Sequence, residues 1–203
     1  MSQVINTIYE RRAVRKYKTT EVKKEQIDVV IAAGCMAPSA LNSQDWKFYI
    51  LTDRELIRHF GHEIGRLAFK EIGHMNLRDV IKSSLSFFHL STIKNFIGTD
   101  DHVFHDAPVV IFITAPKADE WGGLNIGMCA QNIMLAAKAI GLDSCPVGFA
   151  RFVMQVPDYP SLGIPGNEMV ELAIIVGYGD EHPQPHERRK NNVHYITKAR
   201  AGV

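Results

Sequence analysis

The chain has few cysteines and none arranged for pairing. Cys35, Cys129 and Cys145 form no C-x-x-C, and an odd number argues against a disulfide framework. A reducing compartment is the expected setting, and the expected location is cytoplasmic. No run of about 18 apolar residues occurs, so no membrane-spanning helix is expected. The opening Met1-Ser2-Gln3-Val4-Ile5-Asn6 lacks the basic-then-apolar pattern of a signal peptide. An excess of one charge is missing too, since 23 lysines and arginines face 22 aspartates and glutamates. Such a balance gives no general electrostatic pull toward nucleic acid or an anionic membrane. Any anion site must therefore be local.

Familiar catalytic signatures are absent as well. There is no P-loop, no G-x-S-x-G, no H-E-x-x-H, and no G-x-G-x-x-G after a strand. His182 and His186 stand four apart, but Pro183 and Pro185 forbid the helix that would align them, so no metal site is expected. Cys145 precedes a proline and no pattern marks a base beside it, so it reads as a buried structural thiol.

What is present is apolar substance: 46% of the 203 residues are hydrophobic. That suits one domain over residues 1–203, or a protomer whose core a second copy completes. Val4, Ile5, Ile8 and Tyr9 recur at helical spacing. A second helix carries Ile27, Val30 and Ile31 on one face and ends near Gly34, before Pro38. Trp46 to Leu51 reads as a strand. Asp53 caps a third helix with Leu56, Ile57, Phe60, Ile64 and Leu67 on its apolar face. From Gly73 to His105 the pattern blurs into short helical pieces without clear boundaries. Val109 to Ile113 is a short, fully apolar strand, and Val170 to Tyr178 is the last strand. The stretch from Gly122 to Ile140 is helical and apolar or small almost all round, with Gly123, Gly127 and Ala130 allowing close backbone approach. Either it is a central core helix or a second subunit covers it. The tail from Gly179 lacks core periodicity and is expected to run extended. Helices interspersed with a few strands predict an α+β layer arrangement.

Four segments could carry chemistry. Arg11, Arg12 and Arg15 make a strong local cation, and arginine's fork matches phosphate oxygens. Alone, the cluster reads first as a solvated helix end. Ala37 through Trp46 holds Ser39, Asn42 and Gln44 on a non-repetitive backbone, fit to grip a polar heterocycle or sugar-phosphate chain, or to serve its own turns. In Asp143 through Ala150, Pro146 sets the chain direction and Gly148 permits close approach of a ligand; it otherwise reads as a plain loop. Arg188-Arg189-Lys190 adds a basic patch in the tail.

Taken in order, these segments resemble the nitroreductase family of FMN enzymes. The family's Arg-Arg-Ser-x-Arg-like stretch is matched by Arg11 through Arg15, and its Ala-Pro-Ser-x-x-Asn-x-Gln-Pro-Trp loop by Ala37 through Trp46. Asp106-Ala107-Pro108 opens the matching strand, and Leu124 through Gly148 covers the buried helix and the Gly-Leu segment after it. Val176-Gly177-Tyr178, Pro183-Gln184-Pro185 and Arg188-Arg189 close the set, which runs from about residue 4 to 195.

The resemblance implies a three-layer α+β fold, with a central mixed or antiparallel sheet flanked by helices and completed by dimerisation. It implies a homodimer with FMN at the subunit interface, reduced by NADH or NADPH and reoxidised by a small-molecule acceptor such as a nitroaromatic or quinone, in ping-pong fashion. It places the FMN phosphate among Arg11, Arg12, Ala13, Arg15, Arg188 and Arg189. Pro38, Ser39, Ala40, Asn42 and Gln44 would follow the ribityl chain and ring, with Asn42 serving the second subunit's flavin. Pro146, Val147 and Gly148 would lie against the flavin, with a backbone N–H toward N5. No catalytic side chain is implied, because the flavin carries the hydride chemistry. Three departures stand out: Ala13 and Ala40 replace family serines and remove hydroxyl contacts, and Asp45 replaces a proline. The lost hydroxyls keep open an alternative, a flavin-binding store or sensor without efficient turnover.

Overall fold

The structure is a computed structural model and describes residues 2–74 and 101–196; most of the blurred stretch between Gly73 and His105 falls outside them. Its centre is a four-stranded sheet in the order β1-β2-β4-β3, with every strand pair antiparallel. The strands are β1 (Lys47–Leu51), β2 (Val109–Pro116), β3 (Asp143–Val147) and β4 (Glu168–Gly177). β2 is buried from Val109 to Ala115, as a strand covered on both faces must be.

Helices cover both faces. On one side lie α2 (Lys24–Cys35) and α4 (Gly122–Ala139), packing Ile27, Val30, Ile126 and Ile133 against Ile111 and Ile174. Gly34 lets these helices close, because a Cβ there would come 2.7 Å from Ile133 Cγ1. On the other side lie α3 (Arg54–His74) and a 3-10 helix, Gly148–Gln155, around Ile57, Phe60, Phe112, Ala150 and Ile175. This is the three-layer α+β arrangement that the family resemblance implies.

Local signals explain the boundaries. Asp53 Oδ1 accepts the Leu56 N–H at 2.9 Å and starts α3. Gly141, at φ 81°, ends α4. The Leu142 N–H returns to Ala137 O at 2.9 Å and Gly141 N–H to Lys138 O at 3.2 Å, the two bonds of a Schellman turn.

Two readings need correction. Asp143–Val147 is not a loop but edge strand β3, paired to β4; an edge strand tolerates Pro146, whose missing N–H costs no ladder bond. Leu56 lies 42% exposed, off the apolar face of α3. No residue of α1 (Gln3–Glu10) is buried, so Val4, Ile5, Ile8 and Tyr9 form an apolar stripe open to solvent. Nor is α4 covered all round: Gly123, Leu124, Gly127 and Gln131 face outward.

A buried carboxylate ties three strands together. Glu168, 3% exposed, accepts from Lys47 Nζ at 2.5 Å, Thr114 Oγ1 at 2.6 Å and Tyr49 OH at 3.0 Å. Burial alone would raise its pKa, but these three donors outweigh it and hold the carboxyl below its ordinary value. Lys47 directly follows the Ala37–Trp46 loop, so the network anchors that loop's exit.

Candidate functional site

The arginine segment leaves α1 and runs along the β3 edge. Ala13 forms a parallel bridge with Ser144, and Val14 N–H reaches Ser144 O at 3.2 Å. Tyr17 bridges Gly179, and Lys16 pairs with Asp180 at 2.9 Å. The Arg15 N–H donates to Glu181 Oε1 at 2.5 Å. These links bring the tail back over the arginines.

The cations converge there. Burial lowers the Arg11 pKa, and the neighbouring positive charges of Arg12 and Arg188 lower it further. The helix-end and tail cations thus share one region, although they lie far apart in sequence. Arg12 Nη1 folds back onto Tyr9 O and Arg11 O, each at 2.7 Å. Its Nε is buried and has no hydrogen-bond partner among the described residues. Arg189 lies exposed in the extended tail, one residue from Arg188. Pro146 and Gly148 are exposed on the same edge while Val147 is buried, and a Cβ on Gly148 would meet nothing within 4 Å.

The second loop has an unusual backbone. Leu41, Asn42 and Gln44 all adopt positive φ, at 53°, 55° and 51°. Each left-handed non-glycine residue costs about 1–3 kcal/mol, so neighbours must over-determine the turn. Ser39 Oγ accepts the Gln44 N–H at 3.0 Å, and Gln44 Nε2 donates to Asn42 Oδ1 at 3.0 Å. The Ala40 N–H donates to Asn125 Oδ1 on α4 at 3.0 Å. Leu41 is fully exposed. Pro38 lines a groove of about 450 Å³ with Gly123, Leu124, Gly127, Met128 and Gln131.

The two halves of the candidate site attach to opposite edges of the sheet. The Ala37–Trp46 loop enters β1, at one sheet edge, while the arginines and Pro146–Gly148 sit at β3, the other edge. Three strand spacings separate those edges, about 14 Å.

Sequence reasoning missed two residues near these segments. Asn125 looks unremarkable in an apolar helix, yet it is 2% exposed and holds the loop. His105, at φ 55° ahead of β2, is kept neutral. Burial, Arg15 and His102 together press its pKa down to about 4. Cys145 is buried as expected, and burial raises its thiol pKa.

With this geometry in view, relatives identify the class. Residues 8–178 match the nitroreductase family, and the chain belongs to that family. It is 30% identical over 195 residues to nitrobenzene nitroreductase of Ectopseudomonas oleovorans, covering 85% of each chain. It is 25% identical over 185 residues to NADPH-flavin oxidoreductase of Vibrio harveyi, covering 91% of this chain and 69% of that one. A nitroreductase crystal structure with bound FMN, from Bacteroides fragilis, has the same fold, with TM-score 0.75 at 19% identity and coverage of 97% of this chain and 100% of that one.

Proposed function

We propose that the protein is an FMN-dependent oxidoreductase that passes two electrons from NADH or NADPH to a small electrophilic acceptor, a nitroaromatic or quinone. The observation that carries this is the cation cluster around Arg11, where the charges of Arg12 and Arg188 both bear on Arg11 and a buried Arg12 Nε has no hydrogen-bond partner among the described residues. A terminal monophosphate supplies the missing counter-charge and acceptor oxygens. The open space at Gly148 admits a flat ring against the β3 edge.

In this reading Arg11, Arg12, Arg15, Arg188 and Arg189 hold the phosphate beside Ala13. Pro146, Val147 and Gly148 present backbone to the ring. Pro38, Ser39, Ala40, Asn42 and Gln44 come from a second subunit, a reading supported by their attachment to the sheet edge opposite the arginines. The homodimer also covers the open stripes of α1 and α4, an apolar surface too continuous to leave in water. FMN, when bound, supplies the hydride chemistry; these residues position it and exclude water. One site must serve donor and acceptor in turn, which makes turnover ping-pong.

The test is spectroscopic. Purified protein should be yellow and release FMN, not FAD, on denaturation. Anaerobic NADH or NADPH should bleach the colour, and nitrobenzene or a benzoquinone should restore it. Colour without bleaching would indicate a flavin store instead. A colourless protein that takes up no FMN would refute both readings.

A further inference from the structure

The Ala37–Trp46 loop is held by one buried side chain from another element. We propose that Asn125 is a positioning residue for the flavin: its Oδ1 locks the Ala40 N–H and thereby keeps the left-handed turn at Leu41–Gln44 in its binding conformation. The proposal rests on the FMN reading above.

Three observations carry it. The turn is costly, with three non-glycine residues at positive φ within four positions. Its other hydrogen bonds, from the Gln44 N–H to Ser39 Oγ, from Gln44 Nε2 to Asn42 Oδ1, from the Asn42 N–H to Ser39 O and from the Ser43 N–H to Ala40 O, are internal and move with it. The Ala40–Asn125 bond, 3.0 Å long, ties the turn's entry to the first turns of α4, a helix packed into the core. At the exit, Lys47 is tied to buried Glu168. The turn is therefore strung between two fixed points, and among the hydrogen bonds of the described residues Asn125 is the side chain from another element that acts on Ala40, its first residue.

Asn125 is also chemically costly where it stands. It is 2% exposed, and its Nδ2 is buried with no partner among the described residues. Leaving an amide donor buried and unpaired is unfavourable, so an apolar residue would suit the helix better. The loop bond is what the amide contributes in return.

The bond can be cut from either side. Asn125→Leu removes the acceptor. Ala40→Pro removes the donor at the first residue of a short 3-10 helix (Ala40–Asn42), where proline is tolerated. Ser39 is already extended, at φ −137° and ψ 155°, as a residue before proline prefers. The experiment titrates FMN into the apo-proteins of wild type, both single variants and the double variant, and records the bound-flavin spectrum and the KM for nitrobenzene. Each single variant is expected to weaken FMN binding about ten- to a hundredfold and to shift the bound-flavin spectrum. KM should rise more than kcat falls once excess FMN is supplied. The double variant should bind no worse than the weaker single, because both changes break one bond.

Additive losses in the double variant would overturn the proposal. So would an Asn125→Leu protein that melts earlier yet binds FMN with wild-type affinity and spectrum. Should Asn125→Leu fail to fold, Ala40→Pro decides by the same affinity and spectrum. Amide exchange in the apo-protein separates the two levels of inference. If wild type takes up no FMN, the functional reading fails by itself, and the lock stands or falls on whether Asn125→Leu selectively loses protection from Ala40 to Gln44.

Discussion

Gly61 of α3 lies so close to Asp101 that a Cβ on the glycine would come 2.2 Å from the Asp101 Oδ1. Asp101 is fully buried and accepts the backbone N–H groups of Val103 at 3.1 Å, Phe104 at 2.8 Å and Asp106 at 3.3 Å. The carboxylate thus builds the turn that leads into β2, and α3 packs directly onto it. Gly61→Ala should destabilise the protein by about 1–3 kcal/mol in urea unfolding, since neither the helix backbone nor the held carboxylate can retreat. An unchanged midpoint would show that the contact is looser than this packing requires.

His105 predicts an acid weakness. Its pKa is lowered to about 4 in the fold, first by burial and then by Arg15 and His102. In the unfolded chain it titrates near the ordinary histidine value of about 6.5. As pH falls through that window the unfolded chain takes a proton that the folded chain refuses, so stability is full above about pH 6.5 and declines toward pH 4. His105→Asn, which tolerates the positive φ, should flatten the melting temperature across this range. An equally steep variant would assign the slope to other groups.

The arginines make a sharper claim about binding. If Arg11 and Arg15 donate to a phosphate, each charged hydrogen bond contributes about 1.5–3 kcal/mol. Each alanine variant should then bind FMN about ten- to a hundredfold more weakly. Lysine should rescue only partly, because it keeps the charge and loses the fork. Lys24→Ala, which removes only an exposed pair with Asp28, is the control and should leave the dissociation constant unchanged. Equal constants for all variants would return the cluster to a solvated helix end.

Much of this architecture is legible in the chain because it is local. The apolar runs of β2 and β4, the Asp53 cap and the glycine after α4 each act within a few residues. The Asp143–Val147 strand is not legible: Cys145-Pro146-Val147 is too short and proline-broken to show a period, and only pairing with β4 makes it a strand. Asn125 and Glu168 escape for a related reason. Their partners are 85 and 54 to 121 residues away, so no spacing betrays them. The α1 stripe shows the reverse: its periodicity is genuine, but the face it marks is left exposed among the described residues.

That uncovered surface supports the last prediction. A Cβ on Gly127 meets nothing within 4 Å, and the same is true of Gly123. Both face the groove beside Pro38, on the open side of α4. Within one protomer Gly127→Leu should therefore be harmless, and even favourable to the helix, since glycine costs about 1 kcal/mol in a helix interior. If a second copy packs closely there, leucine has nowhere to go. Light scattering should then show monomer where wild type shows dimer, with far-ultraviolet circular dichroism unchanged. Flavin content should fall with dimer content, because each site needs the loop of one subunit and the arginines of the other. Excess FMN should not restore turnover, in contrast to the Arg11 and Arg15 variants, which lose contacts but keep the interface. A Gly127→Leu protein that remains dimeric and fully loaded with flavin would place the interface elsewhere. A wild type that is monomeric and yet carries FMN would refute the two-subunit site outright.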